Sequence, residues 1–272
     1  MSRFKSRHHL LPAGLVPRVL FHDRENYLFA MQAVDADHTV WKARLLQGQI
    51  DLQIAAALGG YLATIHRRTA HDVELRDRFG DTGFFVELRI DPFYRRVAEV
   101  HTDLRVAIER LVDETLEKSV CLVHGDFSPK NILITRSGLS LVDYETGHFG
   151  DPAFDLGFFL SHLLLKTVLY QDRCAEFLGL ARTFWQSYLA GLGRTAESDG
   201  FGGSDLDRRT IPHTAACMLA RIDGTSPIDY LTQDAAQECV RAFSRRLLVD
   251  PPAQVETVLE RLQMELPYPH RT

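Results

Sequence analysis

Cysteine is sparse and scattered. Cys121, Cys174, Cys217 and Cys239 show no CxxC or metal-ligand spacing, so neither a disulfide framework nor a zinc site is expected, and a reducing cytosol suits the chain. Lysine is scarce as well, with Lys5, Lys42, Lys118, Lys130 and Lys166 the only ones among 31 basic residues. No excess of positive charge exists either. The formal net charge is -5, which argues against a nucleic-acid partner, because phosphate binding wants clustered cations on a basic domain. Long apolar runs are also missing. Pro12 and Gly14 interrupt the N-terminal one before it reaches signal-peptide length, and FDLGFFLSHLLLKTVLY carries Asp155, His162 and Lys166. That segment reads as a buried core helix rather than a membrane span.

What is present is an ordinary globular composition, 45% hydrophobic and 25% charged. A chain of 272 residues buries roughly 75% of the surface it exposes unfolded, enough for one large domain or two lobes. VLFH and YLFAMQAV, separated by DREN, read as a β-hairpin. From Asp51 the pattern turns helical, with Ile54, Leu58, Tyr61, Leu62 and Ile65 at three- and four-residue steps and Asp51 as N-cap. DTGFFVELRIDPFY reads as a looser segment, followed by a helix over about 104–116. After residue 152 every long element reads as helical, near 173–190, 205–221, 233–248 and 252–264. The Gly/Ser/Asp-rich stretch at 197–205 reads as a flexible loop.

The stretch LVHGDFSPKNILI places His124, Asp126 and Asn131 in one tight loop between apolar strands. ILIT and LSLVD flank RSG, so with Ser137 at the apex of a hairpin, Asn131 and Asp143 are expected opposite each other, Cα atoms about 4.5–5.5 Å apart. Asp126 enters the same end. Carboxylate and amide oxygens without a required Cys or His favour Mg²⁺ over zinc. Asp, four residues, Asn, then an Asp ending the next strand is the order that kinase-type phosphoryl transfer uses.

HGDFSPKN followed by LVDYETGHFGDPAFDLG resembles the aminoglycoside phosphotransferase and choline kinase superfamily, a likeness running from about Val16 to Arg245. The resemblance implies an α+β, protein-kinase-like fold. Residues 1–40 would be the truncated, β-containing remnant of the nucleotide-binding N-terminal lobe, hairpin and hinge. Residues 41–272 would be a large, mainly α-helical C-terminal lobe with a short catalytic β-hairpin. It further implies that Asp126 orients the acceptor hydroxyl or takes its proton, that Asn131 and Asp143 bind Mg²⁺, and that Met31, Ala33 and Lys130 contact ATP. His124 and Asp155 would brace the loop. The implied activity is transfer of the ATP γ-phosphate to a small-molecule hydroxyl, the protein supplying metal and position rather than covalent chemistry. No F-G directly follows Asp143, and the few residues before Asp155 hold no A-P-E. A small acceptor fits that brevity better than a peptide.

Ahead of the hairpin there is no glycine-rich loop, and Lys5 has no strand around it. Part of the nucleotide lobe is therefore expected to be absent, as in a shortened copy or one with a mis-called gene start. A catalytically silent kinase-like binding module is the alternative, and a metal-dependent hydrolase a third reading. Plainer roles stand beside these. Asp126, Asn131 and Asp143 would cap a polar turn, Asp155 would be an N-cap, and His66, His162 and His213 would be structural. Lys130 and Glu145 would either face phosphate or metal-bound water, or project into solvent. Arg89, Asp91 and Arg221 would line the pocket or cap helix ends.

Overall fold

The computed structural model describes residues 14–193, 201 and 203–266. Lys5 lies outside them, and of the loop expected over 197–205 the part from Gly203 already belongs to a helix. Aromatic and β-branched residues on either side of a polar turn close the first hairpin, β1 (Val19–Asp23) against β2 (Leu28–Met31). The Asp23 carboxylate accepts the backbone N–H groups of Glu25 and Asn26 at 2.9 and 3.2 Å, the local bonding for which Asp is favoured in turns. Neither face of this hairpin is covered: Phe21 is 55% and Phe29 63% exposed.

The remaining strands are β3 (Thr39–Val40), β4 (Cys121–Val123), β5 (Ile132–Thr135), β6 (Gly138–Leu141) and β7 (His148–Gly150). They form an antiparallel β3-β5-β6 sheet and a β4-β7 pair. Around them lie α1 (Trp41–Leu46), α2 (Leu52–Thr69), α3 (Val73–Phe79), α4 (Gly83–Phe85), α5 (Arg96–Val100), α6 (Arg105–Glu117) and α7 (Pro152–Leu169). The chain continues through α8 (Cys174–Leu192), α9 (Gly203–Asp223), α10 (Asp234–Val249) and α11 (Val255–Glu265). This is the expected α+β architecture dominated by helices.

α2 begins where the pattern places it, the Asp51 carboxylate accepting Gln53 N–H at 2.9 Å. The segment expected to be loose is instead helical, with a π-helical run, Val86–Arg95, joining α4 to α5. Pro92 explains the departure. It has no N–H to donate, and its ring would crowd the carbonyl of Leu88 in an α-helix. The wider π turn relieves this, and the Leu88 carbonyl accepts Arg89 Nη1 at 2.7 Å.

α7 is buried from Pro152 to Val168, as a core helix should be. Asp151 caps it, accepting Ala153 N–H at 3.0 Å, with Pro152 in the first turn. Asp155, expected as the cap, sits one turn further in and is free for another task. Gly157 lets α9 approach closely: a Cβ there would lie 2.4 Å from His213 Cβ and 2.8 Å from the Thr210 carbonyl. Gly157→Ala is therefore expected to cost about 1–3 kcal/mol through overpacking. Thermal denaturation of the variant checks it, and an unchanged melting temperature would contradict so close a contact.

Candidate active site

The hairpin turn is one residue off the expected register. Thr135 pairs with Gly138 and Ile132 with Leu141, which leaves the two-residue turn Arg136–Ser137 rather than an apex at Ser137. Arg136 and Ser137 keep negative φ, and the positive value, +135°, falls on Gly138, which carries no Cβ to oppose it. Thr135 Oγ1 fastens the turn, accepting Ser137 N–H at 3.2 Å and donating to the Gly138 carbonyl at 3.0 Å. Val142, not Asp143, consequently stands opposite Asn131, its N–H reaching the Asn131 carbonyl at 3.1 Å. Asp143 follows in the left-handed region, φ +72°, a conformation that Asp tolerates better than most residues.

The two carboxylates nevertheless meet. Lys130 Nζ lies 2.7 Å from Asp126 Oδ2 and 3.6 Å from Asp143 Oδ2. Asp126 is buried, and its Oδ2 also pairs with Arg89 Nη2 at 2.8 Å. Arg89 Nε donates to the Gly125 carbonyl at 2.8 Å, so the π-helical run clamps the loop. Sequence reasoning left Arg89 between pocket and surface cap. Nothing in the local pattern signals its role, because the contact spans 36 residues.

Asn131 Nδ2 donates to the Asp126 carbonyl at 2.9 Å. A carbonyl only accepts, so the amide's nitrogen end is committed there and Oδ1 remains available. Glu145 is exposed. Met31 pairs with Val19 in the hairpin ladder, while Ala33 lines a small cavity of about 80 Å³ beside Val16, Thr135 and Ser140. Among the described residues no three His, Cys, Asp or Glu side chains form a preformed metal cage.

A second layer holds the loop from behind. The fully buried Asp155 accepts the backbone N–H groups of His124 and Gly125 at 2.7 and 2.9 Å, and its Oδ2 lies 3.3 Å from His66 Nε2. Tyr188 bonds the other His66 nitrogen at 2.9 Å. Burial by itself would push the Asp155 carboxyl up, but the His66 bond and charge, with the neighbouring His124, hold it below the usual value. Gly125 has φ +74° and lies so near Thr146 that a Cβ would sit 2.5 Å from the Thr146 carbonyl. Glycine is the residue this turn needs.

Burial depresses four histidines: His124, His148, His162 and, to about 4, His213. Their unfolded counterparts take up protons below about 6.5 while the folded ones stay neutral. Stability is thus fully present above that pH and falls as pH drops from about 6.5 towards 4, with His213 alone contributing about 3 kcal/mol to the loss. Denaturant melts across this range check the slope, and His213→Gln should flatten part of it.

The model of the Phosphotransferase enzyme family matches residues 4–197. The chain belongs to that family. This phosphotransferase is 26% identical over 309 aligned positions to a methylthioribose kinase of Pectobacterium atrosepticum, the match covering 90% of this chain and 75% of that protein. It is 25% identical over 293 positions to the methylthioribose kinase of Erwinia tasmaniensis, covering 84% and 71%. Among solved structures, a glucosamine kinase aligns with a TM-score of 0.48 and 18% identity over 97% of this chain and 69% of that one. A choline/ethanolamine kinase family protein from Mesorhizobium loti aligns at 0.45 and 16%, over 92% and 80%. The phosphotransferase has the α+β arrangement, dominated by helices, that was expected of it.

Proposed function

We propose that this phosphotransferase moves the γ-phosphoryl group of ATP to a hydroxyl of a small molecule, with Asp126 orienting that hydroxyl and Asn131 and Asp143 holding Mg²⁺. The observation that carries the reading is the ammonium of Lys130 lodged between the carboxylates of Asp126 and Asp143. A cation is at home there. The donor set fits magnesium, an all-oxygen ligand ion: a partly exposed Asp143 carboxylate and the uncommitted Oδ1 of Asn131. Bound Mg²⁺ would neutralise charge on the phosphates.

Both cationic partners of Asp126 engage Oδ2, which leaves Oδ1 to receive the acceptor's O–H. As the acceptor oxygen bonds to phosphorus and ADP departs, the hydroxyl proton passes to Asp126. Arg89, anchored on the Gly125 carbonyl, keeps the carboxylate aimed. Lys130, half exposed, is free to swing onto the transferring phosphate, and Met31 and Ala33 in the hinge face the base. In this reading residues 1–40 would be the nucleotide-binding remnant and 41–272 the helical lobe with the catalytic loop and metal site.

A second reading, a catalytically silent kinase-like binding module, is favoured by the uncovered faces of β1 and β2 and by the lack of any lysine on them. Thermal-shift titration with Mg·ATP separates the two, since a bound ligand at 100 Kd stabilises by about 2.7 kcal/mol. ADP release with and without hydroxylated acceptors then distinguishes a kinase from a hydrolase, which needs no acceptor. Asp143→Asn should move the Mg²⁺ titration to higher concentration. An identical titration would remove Asp143 from the metal site.

A further inference from the structure

Beside Asp126 lies a cluster of cations that the transfer step does not use. Lys166 in α7 is 1% exposed, and among the described residues its Nζ donates only to the His162 carbonyl, at 3.1 Å. That ammonium stands 5.1 Å from the centre of the Tyr230 ring, over which Lys42 Nζ of α1 also lies at 6.0 Å. Arg221, near the end of α9, stacks on Phe93 at 5.7 Å. Phe93 and His162 both pack on Phe158, at 5.6 and 5.0 Å, and Arg89 caps the same Phe158 ring at 5.9 Å. One aromatic shelf therefore links the cluster to the residue that clamps Asp126.

The charges are close enough to act on one another. Arg221 feels Asp126 and Arg89, and His162 feels Lys166, Arg221, Lys130 and Lys42. Among the described residues no carboxylate lies within ion-pair distance of Lys42, Lys166 or Arg221, the Asp126 charge being taken up by Arg89 and Lys130. Among the described residues three buried polar atoms of the same cluster also lack a hydrogen-bond partner: His162 Nε2, Tyr230 Oη and Arg221 Nε. His162 is 6% exposed. Buried cations and donors left without counter-ions are costly, and an arriving anion removes that cost. Burial, then the nearby Lys42 and Arg221 charges, bring Lys166 down to about 7. An anion there would restore its full charge.

We propose that the acceptor of this phosphotransferase carries an anionic group, a carboxylate or a phosphate, seated between Lys42, Lys166 and Arg221 while its hydroxyl reaches Asp126. The inference deepens the kinase reading and rests on it for the role of that hydroxyl. A choline-like or aminoglycoside acceptor, being cationic, would meet like charge here. Tyr230 Oη and His162 Nε2 supply further polar contacts for the anion.

The test is a thermal-shift series on the full chain at ionic strength fixed with NaCl. Glycerate and ribose 5-phosphate serve as anionic hydroxylated probes, ribose as the neutral and choline as the cationic one. At least one anionic probe should give a saturable rise in melting temperature that ribose and choline do not, and whether glycerate or ribose 5-phosphate does so distinguishes carboxylate from phosphate. Lys166→Met and Arg221→Gln should each weaken that response about tenfold or more while keeping their shift with Mg·ATP. Lys166→Met should also melt higher than the parent when no ligand is present, because an apolar side chain replaces a buried cation. Arg221, half-buried near a helix end, provides the second variant if the first does not fold. Absence of any anion response, an equal response to ribose or choline, or variants that respond like the parent would overturn the proposal. So would variants that lose the Mg·ATP shift, since the cluster would then serve the nucleotide. A parent chain that binds an anionic probe but shows no Mg·ATP shift leaves the anion site standing and removes the kinase reading instead.

Discussion

Asparagine in place of Asp126 is expected to lower turnover by about 10² to 10⁴, the usual contribution of a positioned acid–base group. That loss corresponds to about 3–5 kcal/mol of barrier. The size and shape of the side chain are preserved, while the amide neither accepts the hydroxyl proton nor balances Arg89 and Lys130 across 2.8 and 2.7 Å. Alanine is the poorer test. It would leave the Arg89 guanidinium, 10% exposed, without its counter-ion and open a gap beside it, and breaking a buried pair costs about 3–5 kcal/mol of stability. Initial rates of acceptor-dependent ADP release, read beside a circular-dichroism melt, separate chemistry from folding. An asparagine variant that runs at the parent rate would strip Asp126 of its role.

Asp155→Ala carries the largest expected loss of stability. One buried carboxylate satisfies the backbone N–H groups of His124 and Gly125 and faces His66. Removing it orphans all of these donors. Each unsatisfied buried group costs about 1–3 kcal/mol, so a fall of several kcal/mol is expected, and with it about 6–20 °C of melting temperature at 2–4 °C per kcal/mol. The His124–Gly125 turn would also lose its anchor, so activity should vanish even below the melting point. A variant melting within a degree or two of the parent would show that the loop is held by something else.

The same residue has a pH signature. The folded Asp155 carboxyl lies below its ordinary value near 3.8, so its contribution is present above that pH and is lost as pH falls through the lower folded value. The variant should therefore lose this steep acid limb, while the histidine slope between about 6.5 and 4 remains. The two windows are adjacent but separable, because the histidines titrate before the carboxylate does.

Short-range features were legible in the amino-acid sequence. The β1–β2 hairpin, the Asp51 cap and the succession of helices after residue 152 depend on turn chemistry, capping and periodicity within a few residues. The bracing role of Asp155 was legible only through the resemblance, since by local pattern it passed for a cap, a place that Asp151 takes. The hairpin register failed by one position because a two-residue and a three-residue turn differ by less than flanking strand pattern can resolve.

The composition by itself determined that this chain is globular, the order Asp126, Asn131, Asp143 gave it kinase-type spacing, and the α+β fold was implied by the resemblance of HGDFSPKN and LVDYETGHFGDPAFDLG. Only the tertiary structure decided which cations meet those carboxylates. Arg89 reaches Asp126 from the π-helical run that Pro92 opens, and Lys42, Lys166 and Arg221 gather because α7 packs on α9 and Trp41 of α1 stacks on Phe159 of α7. Side chains as distant in sequence as Lys42 and Tyr230 are brought within 6.0 Å by the packing of whole helices, a cause that no local spacing contains.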